Sequence, residues 1–133
     1  MLQDRSLSDA RLSADGCYVQ NGAWLDPYTD RLFFTPETLE IDHLIPLKWA
    51  WDHGAQAWDT ERLEAFANDP ANLLVVDASA NRQKSDSGPM DWMPPNEAFA
   101  CDYLAKFALV VDRYGLELTL TEAIDLRKRQ SVC

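Results

Sequence analysis

Positive charge is scarce in this chain. Its 133 residues include 12 Lys and Arg against 22 Asp and Glu, which gives a net charge of −10. A surface of this sign repels a polyanion such as nucleic acid at long range, so extensive electrostatic binding to one is not expected. Any chemistry on phosphates must therefore depend on a local site, with a metal cation supplying the positive charge that the chain lacks.

Long apolar runs are also missing. No stretch approaches the roughly 18 apolar residues that cross a bilayer. The chain starts with MLQDRS, which has neither the basic region nor the apolar region of a secretory signal. We therefore expect no contact with membranes and a cytoplasmic location for the chain as it stands. If a leader has been removed, secretion remains open.

Cysteine is sparse, with three residues at positions 17, 101 and 133. None belongs to a CxxC or CxxH pair, which argues against a zinc knuckle. The odd number leaves at least one thiol free or intermolecular. If one bridge forms, the pairing that we favour is Cys17 with Cys101, and buried thiols are the alternative.

Repeats, biased runs and Gly/Ser-rich linkers are absent, which indicates a single domain over residues 1–133. The hydrophobic content of 47% is enough for a core at this length. Short apolar strand-like runs are mixed with segments of helical periodicity, so the predicted fold class is α+β. The dipeptide Asn21-Gly22 predicts a hairpin turn entered by a strand at residues 17–20.

Two helices are predicted within residues 96–130. Between residues 96 and 114 aromatic and branched side chains recur at intervals of three and four, which is typical of one apolar helix face. These residues are Phe99, Tyr103, Phe107, Val110 and Tyr114. Thr119 followed by Glu122 is a capping box, which predicts the start of the last helix. We expect both helices to act as packing scaffold.

The most informative stretch covers residues 39–86. A strand near residues 39–43 is predicted to deliver Asp42 and His43 at its end, and a second strand to begin at Asn72. A helix over residues 78–84 follows and presents Asn81. A strand, a strand and a helix in this order would bring a carboxylate, an imidazole and an amide into one region, with two short helices inserted at residues 44–71.

The side chains in this region suit metal-assisted hydrolysis. Asp42 and Asn81 carry the hard oxygen ligands that Mg²⁺ or Mn²⁺ prefers. His43 has an imidazole whose ordinary pKa near 6.5 suits it to deprotonating a water. Lys84 lies three residues after Asn81 and would share its helix face, from which it could reach a phosphate oxygen.

Simpler interpretations exist for three of the predicted site residues. His43 could be a structural, hydrogen-bonded histidine at a strand end. Asn72 could cap a turn, and Lys84 could be a solvated surface charge. The order of the motifs along the chain favours the functional interpretation for the set as a whole.

The same motifs resemble a known family. Residues 81–86, NRQKSD, look like the helix of the HNH domain in RNA-guided CRISPR nucleases. Residues 24–29, WLDPYT, residues 41–47, IDHLIPL, and residues 91–95, DWMPP, resemble small bacterial HNH proteins related to the C-terminal domain of the GmrSD restriction enzyme. The likeness covers about residues 16–115.

This resemblance implies a ββα-metal core over about residues 39–86 and a divalent-metal-dependent endonuclease that cleaves DNA. It makes His43 the general base, Asp42 and Asn81 the metal ligands, and Asn72 the residue that shapes the loop and steadies His43. The expected cofactor is Mg²⁺ or Mn²⁺ and the expected partner is nucleic acid. Two alternatives are kept: a catalytically silent HNH-like module that docks a partner, and a nuclease that acts on RNA.

Overall fold

The computed structural model describes residues 1–133, which form short strands and helices. The strands are β1 (Arg11–Leu12), β2 (Val19–Asn21), β3 (Trp24–Asp26), β4 (Arg31–Phe33), β5 (Leu39–His43) and β6 (Leu73–Asp77). The helices are α1 (Leu2–Arg5), α2 (Leu47–Asp52), α3 (Thr60–Ala67), α4 (Ala78–Lys84), α5 (Ala100–Tyr114) and α6 (Leu120–Ser131). The predicted mixed α+β class is confirmed, as one small domain.

The strands form three separate antiparallel pairs, β1 with β2, β3 with β4, and β5 with β6. In the last pair, Leu39 lies opposite Asp77 and His43 lies opposite Leu73. Helix α4 begins directly after β6, because the Asp77 carboxylate accepts a hydrogen bond from the Ala80 N–H at 3.0 Å and caps the helix. The predicted order of strand, strand and helix is present, and residues 44–71 carry α2 and α3 as expected.

Helix α5 supplies one side of the hydrophobic core. Its Tyr103, Phe107 and Val110 side chains are buried, and Phe99 and Tyr114 pack against the core from its edge. The apolar face predicted from the spacing is therefore confirmed. The other buried core residues come from several elements, and they are Tyr28, Leu44, Ile45, Trp49, Ala50, Ala55, Phe66, Val76, Ala80 and Leu116.

Helix α6 lies against α5. The predicted capping box is confirmed, with both the Thr119 and Glu122 side chains bonded to backbone N–H groups. None of its residues is buried. Beyond its last turn, Cys133 forms a disulfide with Cys101 at the start of α5, with 5.7 Å between their Cα atoms.

This disulfide corrects the pairing that the sequence favoured. The sequence favoured Cys17 with Cys101 only on the condition that one bridge forms, and Cys17 is instead an exposed free thiol. The physical reason is the packing of α5 against α6, which brings the start of one helix beside the end of the other. Residues 101 and 133 are 32 apart in sequence, so nothing local marks them as partners.

The turn predicted at Asn21-Gly22 is also different. Strand β2 pairs back with β1, and β3 pairs forward with β4, so the dipeptide joins two sheets instead of closing one hairpin. Gly22 is required here for space, because a Cβ at this position would lie 2.8 Å from the Trp24 ring. No helix in the fold is both long and apolar enough to cross a membrane.

Candidate functional site

Three of the predicted site residues, Asp42, Asn81 and Lys84, lie where β5 faces α4. Side chains alternate along a strand, so Glu40 and Asp42 project from the same face of β5. Asn81 and Lys84 are three residues apart on α4 and share a face of that helix. The Asn81 amide donates a hydrogen bond to Glu40 at 2.8 Å, and the Lys84 ammonium lies 2.9 Å from Asp42 Oδ2. Two neighbouring pairs thus connect the strand to the helix.

Asp42 is buried, with 7% of its surface exposed, and both of its carboxylate oxygens are engaged. The Tyr28 hydroxyl donates to Oδ2 at 2.5 Å, and the Lys84 ammonium donates to Oδ1 at 3.2 Å. Burial, followed by the charge of Asp42, raises the pKa of Tyr28 well above its usual range. The tyrosine therefore remains a neutral donor that holds the carboxylate in place.

Lys84 is completely buried, which is exceptional for a lysine. Its ammonium also donates to the backbone oxygen of His43 at 2.8 Å. Burial lowers the pKa of Lys84, while the adjacent Asp42 acts in the opposite direction. The sequence predicted that this ammonium reaches a phosphate oxygen, but in this structure it is directed into the protein and has no contact with solvent.

His43 ends β5 and is half-buried. Its Nε2 atom lies 2.8 Å from the backbone oxygen of Ala67, at the end of α3. A carbonyl oxygen can only accept, so Nε2 carries the hydrogen and a neutral ring has its lone pair on Nδ1. No group of the chain bonds to Nδ1. The ring is thus held by one nitrogen, and the other has no hydrogen-bond partner within the chain.

Asn72 lies just before β6 and is fully buried. Its side chain bonds to the backbone N–H and oxygen of Ile45, and its own backbone oxygen accepts from the Leu44 N–H at 2.9 Å. These bonds fix the two residues that follow His43. The position fits the loop-shaping role that the sequence predicted for Asn72.

Sequence reasoning missed three groups at this site. Glu40 could have been found from its spacing, because it is two residues before Asp42 and therefore shares its strand face. Tyr28 belongs to the WLDPYT motif, but nothing in that motif shows that its hydroxyl reaches Asp42. The Ala67 carbonyl belongs to the backbone, so no side-chain pattern could have identified it.

The residues present suit a divalent cation in their chemistry. Glu40, Asp42 and Asn81 offer hard oxygen donors on the surfaces of β5 and α4 that face each other. No group of three or more His, Cys, Asp or Glu side chains is arranged as a ready metal site. Asp42 and Asn81, the predicted ligand pair, are each bonded to a different partner, Lys84 and Glu40 respectively. The Asp42 carboxylate is thus already paired with the Lys84 ammonium in this structure.

Three comparisons relate the chain to known proteins. No solved structure matches it. An uncharacterized secreted protein of the fungus Arthroderma benhamiae is 34% identical over 125 residues, which cover 92% of this chain and 61% of that protein. The chain thus spans less than two thirds of the length of this relative. The family model for the C-terminal domain of GmrSD restriction endonucleases matches residues 3–129. Because that match covers nearly the whole sequence, the chain belongs to the family of GmrSD C-terminal domains.

Proposed function

We propose that the chain is a divalent-metal-dependent endonuclease of the HNH type that hydrolyses DNA, with β5, β6 and α4 as a ββα-metal core. Membership of a family named for restriction endonucleases supports a nuclease-related role. The observation that supports the HNH mechanism is the hydrogen bonding of the His43 ring. Its ring is anchored through Nε2 to the Ala67 oxygen and leaves Nδ1 open at the end of a strand.

In the proposed reaction, His43 acts as the general base. Nδ1 takes a proton from a water as the water attacks the phosphorus, and the hydrogen bond to Ala67 keeps the ring oriented throughout. Asn72 forms two hydrogen bonds with Ile45 and so fixes the backbone that follows His43. His43 therefore keeps its position during the reaction. A Mg²⁺ or Mn²⁺ ion held by Asp42 and Asn81 would stabilise the negative charge that develops on the phosphate and the leaving 3′ oxygen.

The charge of the chain shapes how it would bind DNA. With a net charge of −10, it can make only a few phosphate contacts, so binding without metal should be weak. A shallow dependence of affinity on salt follows from the same argument. Tight metal-free binding with a steep salt dependence would contradict this mode of binding.

Plasmid nicking tests the proposal. We expect cleavage with Mg²⁺ or Mn²⁺, none with EDTA, and a loss of at least about 100-fold in rate for His43→Ala, the scale usual for a general base. His53→Gln is the matched control, because His53 is the only other histidine and bonds to Glu122 at the start of α6. Both variants must retain the wild-type circular dichroism spectrum.

A catalytically silent binding module is the second candidate, and the acidic charge together with the engaged Asp42 carboxylate favours it. A folded wild-type chain that cuts neither DNA nor RNA with any divalent metal would support the binding-module proposal and contradict the nuclease proposal. Cleavage of RNA but not of DNA would support the nuclease proposal with RNA as the substrate.

We also propose that the chain works in an oxidising compartment. The Cys101–Cys133 disulfide supports this, because such bonds are rare in the reducing cytosol. The fungal relative is described as secreted. Mass spectrometry of protein isolated from its natural source without reductant tests the proposal: a mass two hydrogens below the fully reduced value is expected, and free thiols at both positions would contradict it.

A further inference from the structure

The most unusual feature that the proposed reaction does not use is the buried ammonium of Lys84. Lysine is almost never fully buried unless its charge is paired. Here the ammonium donates to Asp42 Oδ1 and to the backbone oxygen of His43, and its charge is paired with the Asp42 carboxylate, whose Oδ2 lies 2.9 Å away. A positive charge therefore already occupies the carboxylate that a divalent cation would need.

Two positive ions cannot share this carboxylate without strong repulsion. Asp42 lies in a buried position, where water screens charges poorly. A metal ion on Asp42 would lie within a few ångströms of the ammonium, and Lys84 would have to move away. Its flexible stem allows the ammonium to leave both Asp42 and the His43 backbone oxygen and to reach solvent.

We propose that Lys84 is an internal cation that neutralises Asp42 in the metal-free chain and is displaced from it when a divalent cation binds. This inference rests on the proposed function, since it assumes that the chain binds such a cation. Lys84 is then a positioning residue that sets the metal affinity by competition. Tyr28 stays bonded to Asp42 in both states and keeps the carboxylate oriented during the exchange.

Chemical labelling of the wild-type chain tests the displacement directly. The chain has four lysines, and Lys48, Lys106 and Lys128 are exposed while Lys84 is buried. Acetylation followed by mass spectrometry should show Lys84 protected without metal. With saturating Mn²⁺, we expect its labelling rate to rise at least about tenfold, as fits release from a buried ion pair, while the three exposed lysines keep their rates as internal controls.

A variant tests the competition. Lys84→Met removes the charge and keeps a long apolar stem, so calorimetric titration should show Mn²⁺ binding at least about tenfold tighter than in the wild type, because a competing cation is gone. Lys48→Met is the matched control: it removes a lysine paired to Asp52 at 2.7 Å on the surface, and the Mn²⁺ affinity should not change. If Lys84→Met does not fold, the labelling experiment alone decides.

The outcomes separate this inference from the proposed function. If Mn²⁺ binds and DNA is cleaved while Lys84 stays protected, the inference is wrong, and the cation uses other donors such as Glu40 and Asn81. An unchanged or weaker Mn²⁺ affinity in folded Lys84→Met also overturns it. If neither the wild type nor Lys84→Met binds Mn²⁺ and the wild type does not cleave DNA, the metal-dependent function fails together with the inference.

Discussion

The side chain of Asn72 forms both of its hydrogen bonds with one residue, Ile45: Oδ1 accepts from the Ile45 N–H at 2.7 Å, and Nδ2 donates to the Ile45 oxygen at 3.1 Å. This pair of bonds closes the segment that connects β5 to β6, because Ile45 and Asn72 are 27 residues apart in sequence. His43 lies just before this closure. The fixed position of His43, the proposed general base, thus depends on a contact between two parts of the chain that are distant in sequence.

Asn72→Ala should therefore destabilise the fold. The substitution leaves the buried N–H and oxygen of Ile45 without partners, and each such loss costs about 1–3 kcal/mol. We expect a decrease of about 2–4 kcal/mol in the free energy of unfolding, measured by urea denaturation. Asn68→Ala is the control, because Asn68 makes one exposed hydrogen bond to Glu64 and should change stability by less than about 1 kcal/mol.

Tyr28→Phe tests the hydroxyl that holds Asp42. The ring remains in the core, but a buried carboxylate oxygen loses its short hydrogen bond. Because hydrogen bonds to charged groups are worth about 1.5–3 kcal/mol, a decrease of that size in the free energy of unfolding is expected. Tyr18→Phe, at a tyrosine that is 70% exposed, should have no measurable effect. Equal stabilities for the two variants would show that the Tyr28 hydroxyl contributes nothing to the fold.

The disulfide should contribute strongly to stability. It closes a loop of 32 residues, for which the chain-entropy model gives about 3–4 kcal/mol. Cys133→Ser should lower the free energy of unfolding by that amount in thermal or urea denaturation. Cys17→Ser removes an exposed free thiol and serves as the control. A Cys133→Ser variant as stable as the wild type would mean that α6 is held by its other contacts.

The stability of the fold should depend on pH through Glu122, at the start of α6. Burial alone would raise its pKa, but hydrogen bonds from the Thr119 N–H and the His53 ring outweigh burial and lower it below the ordinary value of 4.5. A carboxylate with a lowered pKa in the folded state stabilises the fold above its unfolded pKa and loses that contribution as the pH falls through the folded pKa. This contribution should thus be complete well above the ordinary pKa of 4.5 and be lost as the pH falls below it.

Glu122→Gln measures this contribution. At pH 5.5 the wild type should be more stable by about 1 kcal/mol, because Gln can still accept from the Thr119 N–H but lacks the charge that strengthens this bond, and the difference should shrink as the pH falls below 4.5. Glu117→Gln, at a nearby exposed glutamate, is the control. A difference that grows toward low pH would reverse the sign and contradict the assignment.

Elements with a strong local pattern could be predicted from the sequence. The apolar periodicity of α5 and the capping box of α6 are properties of a few neighbouring residues, and both are present in the structure. Strand β6 and the start of α4 followed from branched apolar residues and from the cap at Asp77. These features do not depend on which distant parts of the chain come together.

Features that depend on packing could not be predicted. A lysine three residues after Asn81 has the same sequence pattern whether its ammonium points into solvent or toward a buried carboxylate, so the burial of Lys84 was hidden. The choice of Cys133 over Cys17 as the partner of Cys101 depends on how α5 and α6 pack. The contact between His43 and the Ala67 oxygen likewise requires α3 to lie beside the end of β5.

The Cys101–Cys133 bond also determines what a protease could release. Any single peptide bond cut between these two cysteines opens the backbone but leaves both pieces joined covalently through sulfur. A nick in the connection between α5 and α6 would therefore release no fragment until a reductant was added. For a protein outside the cell, where proteases are common and reductants are scarce, this part of the chain would survive cleavage as one covalent unit.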